Sequence, residues 1–169
     1  MKQQTRLLVG LFLLVVGCRQ EAAQTEAREA RRVHRVRPTE PPRLRTIIGL
    51  FESGAGLGRD RLCVVEHARR TEFALVIRGE GGDSCSGSGS IRRRGGRLHF
   101  VMSGDSSCTF DAVISGDSIL FPERVAKGCA YYCGKNARLT NVRLTQSGAT
   151  EAAAMRATDL VGEPLCTSE

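Results

Sequence analysis

Apolar residues recur at every second position through much of residues 72–114, and this alternation restricts the fold more than any other feature. Phe73, Leu75 and Ile77 share one parity, opposite Glu72, Ala74, Val76 and Arg78. Leu98, Phe100 and Met102 stand against Arg97, His99 and Val101, and Phe110, Ala112 and Ile114 against Thr109, Asp111 and Val113. Successive side chains of a strand point to opposite faces, so each set marks a core side. Glycine-rich breaks separate these runs at intervals of about ten residues, the spacing of antiparallel all-β domains. Weaker strand candidates are 46–52, 61–67, 85–93 and 118–121, and 138–145 is a candidate last strand. Gly95-Gly96 forms a two-residue hairpin turn. Residues 123–136 read as an irregular segment held by cysteines, and 150–160 as a short helix capped by Thr150. The expected fold is mainly β: an antiparallel meander forming a curved sheet or small barrel, with a short C-terminal helix packed on it and disulfides.

The N-terminus carries a different signal. A basic start, Met1-Lys2-Gln3-Gln4-Thr5-Arg6, precedes an apolar run from Leu7 to Val16 and then Gly17-Cys18. That order describes a secretory signal peptide over 1–17, with an apolar run too short to span a bilayer. Val15-Val16-Gly17-Cys18 resembles the lipobox of bacterial lipoproteins. The resemblance implies cleavage after Gly17 and a diacylglyceryl thioether on Cys18. Each buried CH₂ of such an anchor contributes about 0.8 kcal/mol. Arg19 follows Cys18 where an aspartate would retain a lipoprotein at the inner membrane. The expected location is therefore the periplasmic face of the outer membrane if the host is Gram-negative.

Setting Cys18 aside leaves Cys63, Cys85, Cys108, Cys129, Cys133 and Cys166. An even set in a small exported domain reads as a disulfide framework. No CxxC pair is present and His34, His67 and His99 are scattered, so neither a metal nor a cofactor is expected. The pairing read from the chain is Cys85–Cys108, Cys129–Cys133 and Cys63–Cys166. Cys85 and Cys108 flank the Gly95-Gly96 turn at similar distances, Cys129 and Cys133 enclose three residues, and Cys63 and Cys166 remain.

The formal charge of +7 is unevenly spread. Residues 19–45 carry eight arginines against four glutamates, whereas 46–169 carry fifteen Lys or Arg against fourteen Asp or Glu. Residues 19–45 have Val33, Val36 and Leu44 as their only large apolar residues, too few to offset chain entropy. Residues 18–45 therefore read as the lipidated cysteine and a basic tether, spanning about 30 Å as a flexible coil, and 46–169 as the disulfide-bonded β domain. Arginines beside a membrane favour anionic head groups or an acidic envelope partner. An exported location argues against nucleic acid.

Gly116-Asp117-Ser118-Ile119 resembles the opening block of GDSL-type esterases. Gly-Asp-Ser occurs three times, however, at 82–84, 104–106 and 116–118, always between strand candidates where these residues make turns. A nucleophilic serine also needs an oriented base. Those esterases carry their histidine near the C-terminus, whereas the last histidine here is His99. The serines read as exposed turn residues, and the chain as no enzyme. Gly54-Ala55-Gly56-Leu57-Gly58 lacks the third glycine of the dinucleotide fingerprint and reads as a loop.

Two candidate binding features remain. Arg92, Arg93 and Arg94, with Arg97, form a basic hairpin tip, read first as simply solvated charge and second as a contact for head groups or an acidic protein. Tyr131 and Tyr132 lie between Cys129 and Cys133. They are either a binding surface or, the reading preferred here, a plug for one end of an aromatic-poor core.

GLFES (49–53), RLCVV (61–65), CSGSGS (85–90), GCAYYCG (128–134) and DLVGEPLC (159–166) together resemble a family of small exported bacterial proteins. That resemblance implies export and carries neither an activity nor site residues. The expected function is a lipid-anchored envelope protein serving as a binding or structural accessory, the alternative being an inhibitor of an envelope-directed enzyme such as lysozyme.

Overall fold

The structure, a computed structural model, describes residues 44–54 and 59–167. Eight antiparallel strands follow one another around a closed barrel. They are β1 (Gly49–Ser53), β2 (Asp60–His67), β3 (Arg70–Arg78), β4 (Ser84–Arg94), β5 (Arg97–Met102), β6 (Thr109–Ser115), β7 (Ser118–Leu120) and β8 (Arg143–Gly148). Each strand pairs with the next, and β8 returns to β1 to close the ring. A four-residue helix, α1 (Glu151–Ala154), follows β8. The signal peptide, Cys18, most of the tether and Ala55 to Gly58 of the glycine loop lie outside the described residues.

The alternation acts as expected. Phe73, Leu75, Ile77, Leu98, Phe100, Met102, Phe110 and Ala112 are all buried inside the barrel. Four phenylalanines form one cluster: Phe100 lies 4.9 Å from Phe73, 4.8 Å from Phe110 and 5.4 Å from Phe121, ring centre to ring centre. An eight-stranded barrel is just wide enough to be filled by side chains, and Phe51, Leu62, Ile119 and Leu144 complete that filling. Closure depends on two glycines at the seam. A Cβ on Gly49 would lie 2.0 Å from the Gly148 carbonyl oxygen, and one on Gly148 would lie 2.4 Å from the Ala153 Cβ.

Ala74 and Val76 point outward, yet both are buried. The C-terminal segment covers this side: Ala154, Ala157 and Cys166 pack with Cys63, Val65 and Ala74 in a second, external core. Thr150 caps α1, its hydroxyl accepting from the Ala153 N–H at 3.1 Å. The helix stops at Ala154 instead of running to 160, and the following chain continues in turns, with the Ala157 N–H donating to the Ala154 carbonyl. The last strand begins at Arg143, not 138, because Ala137, Leu139 and Val142 are buried in the main core by the irregular segment that precedes it. Leu44 is likewise buried, so residues 44 and 45 belong with the barrel and not with the tether.

Cys63–Cys166 is bonded as expected, whereas the other two pairs are Cys85–Cys133 and Cys108–Cys129. The expected hairpin bridge fails because β5 ends at Met102. The chain then turns, and Cys108 leads into β6, one strand away from β4. A 3₁₀ stretch over Lys127–Tyr132 turns about a third of a revolution per residue. Cys129 and Cys133 therefore face different neighbours instead of each other. Each is fastened to a strand end, so the pair staples residues 121–142 across the barrel mouth.

Candidate functional site

In a meander, successive turns alternate between the two ends of the barrel. The turns at 68–69, 95–96 and 116–117 therefore share one end, and the loops at 79–83, 103–108 and 121–142 share the other. Leu44 enters at the first end, its N–H donating to the Gly116 carbonyl at 2.7 Å. Ile47 and Ile48 pack there against the core.

Local sequence explains the arginine end. Arg94 pairs with Arg97 across Gly95-Gly96, as the sequence implied. His67 pairs with Arg70 across Ala68 and Arg69, whose φ values of 44° and 69° are left-handed. Glycine or asparagine is favoured at such positions. The meander thus brings Arg69 and Arg70 to the same end as Arg92, Arg93, Arg94 and Arg97, with Arg45 beside them. Four carboxylates, of Glu66, Glu72, Asp117 and Glu151, are at this end. Among the described residues, none of the seven arginines forms an ion pair.

An open groove of about 820 Å³ runs over the β3–β4–β5 face to this end. Its floor follows from the Ser-Gly repeat of β4. Gly87 and Gly89 face inward, where a Cβ on Gly87 would lie 2.5 Å from Met102 Cε, and one on Gly89 would lie 2.0 Å from the Val101 carbonyl oxygen. Ser88 and Ser90 alternate outward and leave the surface low. Arg69, Arg70, Arg92 and Arg93 stand around the groove, with Glu72 as its carboxylate.

The disulfide end separates the two tyrosines. Tyr132 packs against the core, and its hydroxyl accepts the Asp105 N–H. Tyr131, 78% exposed, projects from the same 3₁₀ stretch. The preferred plug reading therefore describes Tyr132 and is corrected for Tyr131. Nearby, the Ser107 hydroxyl and N–H hold the Asp105 carboxyl below the ordinary carboxylate range. A smaller open cavity of about 450 Å³ lies within this cap, lined by Cys129, Leu139, Lys127 and Lys135 among others.

Ser118 is a second correction. It starts β7 and is buried, not an exposed turn residue. Its hydroxyl lies 3.0 Å from that of Thr145 and donates to Asp117 Oδ1 at 3.1 Å. The buried hydroxyl faces Thr145 of the neighbouring strand. His99 Nδ1 lies 2.8 Å from Asp111 Oδ1 on the outer wall, a pair the sequence reading missed. The signal was available: cross-strand pairing of two residues already assigned to one strand face. Among the described residues, Asp111 is the only hydrogen-bond partner of the His99 side chain.

The outward residues of the central strands are mainly charged or hydroxylic, the reverse of a lipid-facing barrel wall. No helix among the described residues is long and apolar enough to cross a membrane. Comparisons of the chain with protein families, curated proteins and solved structures return no match.

Proposed function

We propose that the chain is a lipid-anchored cell-envelope protein that acts as a binding accessory through the exterior of its barrel. One observation carries the binding role: seven arginines without ion-pair partners among the described residues are gathered at one end of a rigid barrel whose interior is already filled. Filled small barrels offer ligands their rims and outer walls, and charge held in a groove concentrates counter-charged partners. The anchoring role rests on Val15-Val16-Gly17-Cys18. Growth with a clickable fatty acid tests it. The wild-type chain takes the label, and Cys18→Ala loses it and accumulates as precursor. Label retained by the variant would remove the anchor from this reading.

Tyr131 supports a second reading, inhibition of an envelope-directed enzyme. An exposed aromatic residue held between two disulfide-bonded cysteines resembles the rigid anchors found in tight interfaces. Turnover of lysozyme in the presence of the barrel, compared with Tyr131→Ala, tests it. Inhibition that does not depend on Tyr131 would count against this loop as the inhibitory element.

A further inference from the structure

We propose that the arginine end is a docking face for the phosphate groups of anionic membrane lipids, with the groove on β3–β4–β5 as its centre. Arg69, Arg70, Arg92 and Arg93 border this groove, and the hydroxyls of Thr71, Ser88, Ser90 and Ser103 line it. Planar guanidinium groups match phosphate oxygens in pairs, and neutral hydroxyls add hydrogen bonds without adding charge. The four arginines are exposed and form no ion pairs among the described residues, so a phosphate need not displace a carboxylate from them. Glu72 is the opposing charge within the groove. Arg45, Arg94 and Arg97 widen the positive surface around it.

One further observation selects a membrane over other anions, and a second marks the turn that presents Arg69 as a functional element. Residue 44 enters the barrel at this end, fixed to the turn at Gly116, so anything that tethers the chain from upstream attaches on the arginine side. The turn that presents Arg69 holds Ala68 and Arg69 in left-handed backbone that neither residue favours. Strain of that kind concentrates at functional sites. The choice of a membrane rests on the anchored reading above, whereas recognition of phosphate by the groove can be tested without the anchor.

Residues 44–169 contain all eight strands, the three disulfides and both buried clusters. That segment, oxidised and without lipid, is the protein to test by vesicle co-sedimentation. It is expected to bind vesicles of mixed phosphatidylcholine and phosphatidylglycerol, to ignore phosphatidylcholine alone, and to release as salt rises. Replacing Arg69, Arg70 and Arg92 by serine together should weaken binding by more than about tenfold. Replacing Arg124, Lys127 and Lys135 at the opposite end removes the same charge and should cost less than about twofold. The single variant Arg92→Gln, on an exposed strand end, gives a graded loss and guards against a misfolded triple variant. Equal losses from the two triple variants, equal binding to both vesicle types, or no binding would each overturn the proposal. So would displacement by inorganic phosphate at matched ionic strength, because the groove would then be a site for the free ion. Binding by the barrel together with an unlabelled Cys18 would instead remove the anchor and leave the docking face standing.

Discussion

The two ends of this barrel are closed by different means. At the arginine end the turns at 68–69, 95–96 and 116–117 each connect adjacent strands through two residues, and Leu44, Ile47 and Ile48 fill the opening. At the other end the loops are long, and residues 121–142 form a cap held by Cys85–Cys133 and Cys108–Cys129. Charge follows the same division. The disulfide end mixes both signs and contains the Glu52 contacts with Arg59 and Arg61, whereas the arginine end gathers cations without ion-pair partners among the described residues. Short hairpins leave little room for compensating side chains, and a covalently held cap has the length to carry them. One end is thus specialised for stability and the other is free to present charge.

Removing the two cap bridges should break this comparison with the largest effect. The bridges Cys85–Cys133 and Cys108–Cys129 close loops with separations of 48 and 21 residues. Chain entropy assigns them about 4 and about 3 kcal/mol as upper estimates. Protein with Cys85, Cys108, Cys129 and Cys133 replaced by serine, which keeps Cys63–Cys166, should be cut by trypsin at Lys127 and Lys135 at least about tenfold faster than wild type, with little change at Arg94. Peptide mapping over time measures this. Faster cutting at both ends alike would mean that the staples stabilise the whole barrel and not its cap.

Leu44→Ala tests the plug of the arginine end. Leu44 is 5% exposed, and truncating a buried leucine costs about 2 to 5 kcal/mol, with the lower part expected at this peripheral site. Thermal unfolding should show a clear fall in Tm, and an unchanged Tm would mean that the barrel closes without residues 44–48. The smallest effects separate the tyrosines. Tyr132→Phe removes the acceptor of the Asp105 N–H and should cost about 1 kcal/mol. Tyr131→Ala should stay within about 0.5 kcal/mol of wild type. Denaturant titration of both variants sharpens the distinction, and equal losses would mean that Tyr131 is also structural.

The tyrosines also mark where local reading stops. Tyr131 and Tyr132 share composition, neighbours and cysteine flanks, so nothing along the chain distinguishes them. What separates them is the empty side chain of Gly87 on β4, where an added Cβ would lie 2.8 Å from the Tyr132 ring. Ser118 was misread for a related reason. The Gly-Asp-Ser triplet does mark a turn, but the strand resumes at its third residue, and pairing with Thr145 of β8 then buries that residue.

The sequence by itself determined the mainly β fold, the core faces of β3, β5 and β6, the Gly95-Gly96 turn and the Thr150 cap. Each of these depends on residues within one turn or one strand, where side-chain periodicity and backbone preference act directly. Barrel closure, two of the three disulfide pairs and the gathering of the arginines were decided only in the tertiary structure. Arg69 and Arg70 lie about twenty residues before Arg92, Arg93 and Arg94 in the chain, and they meet because a meander returns every second turn to the same end. Cysteine partners depend likewise on where β5 stops and how the cap crosses the barrel mouth, distances that only the folded chain sets.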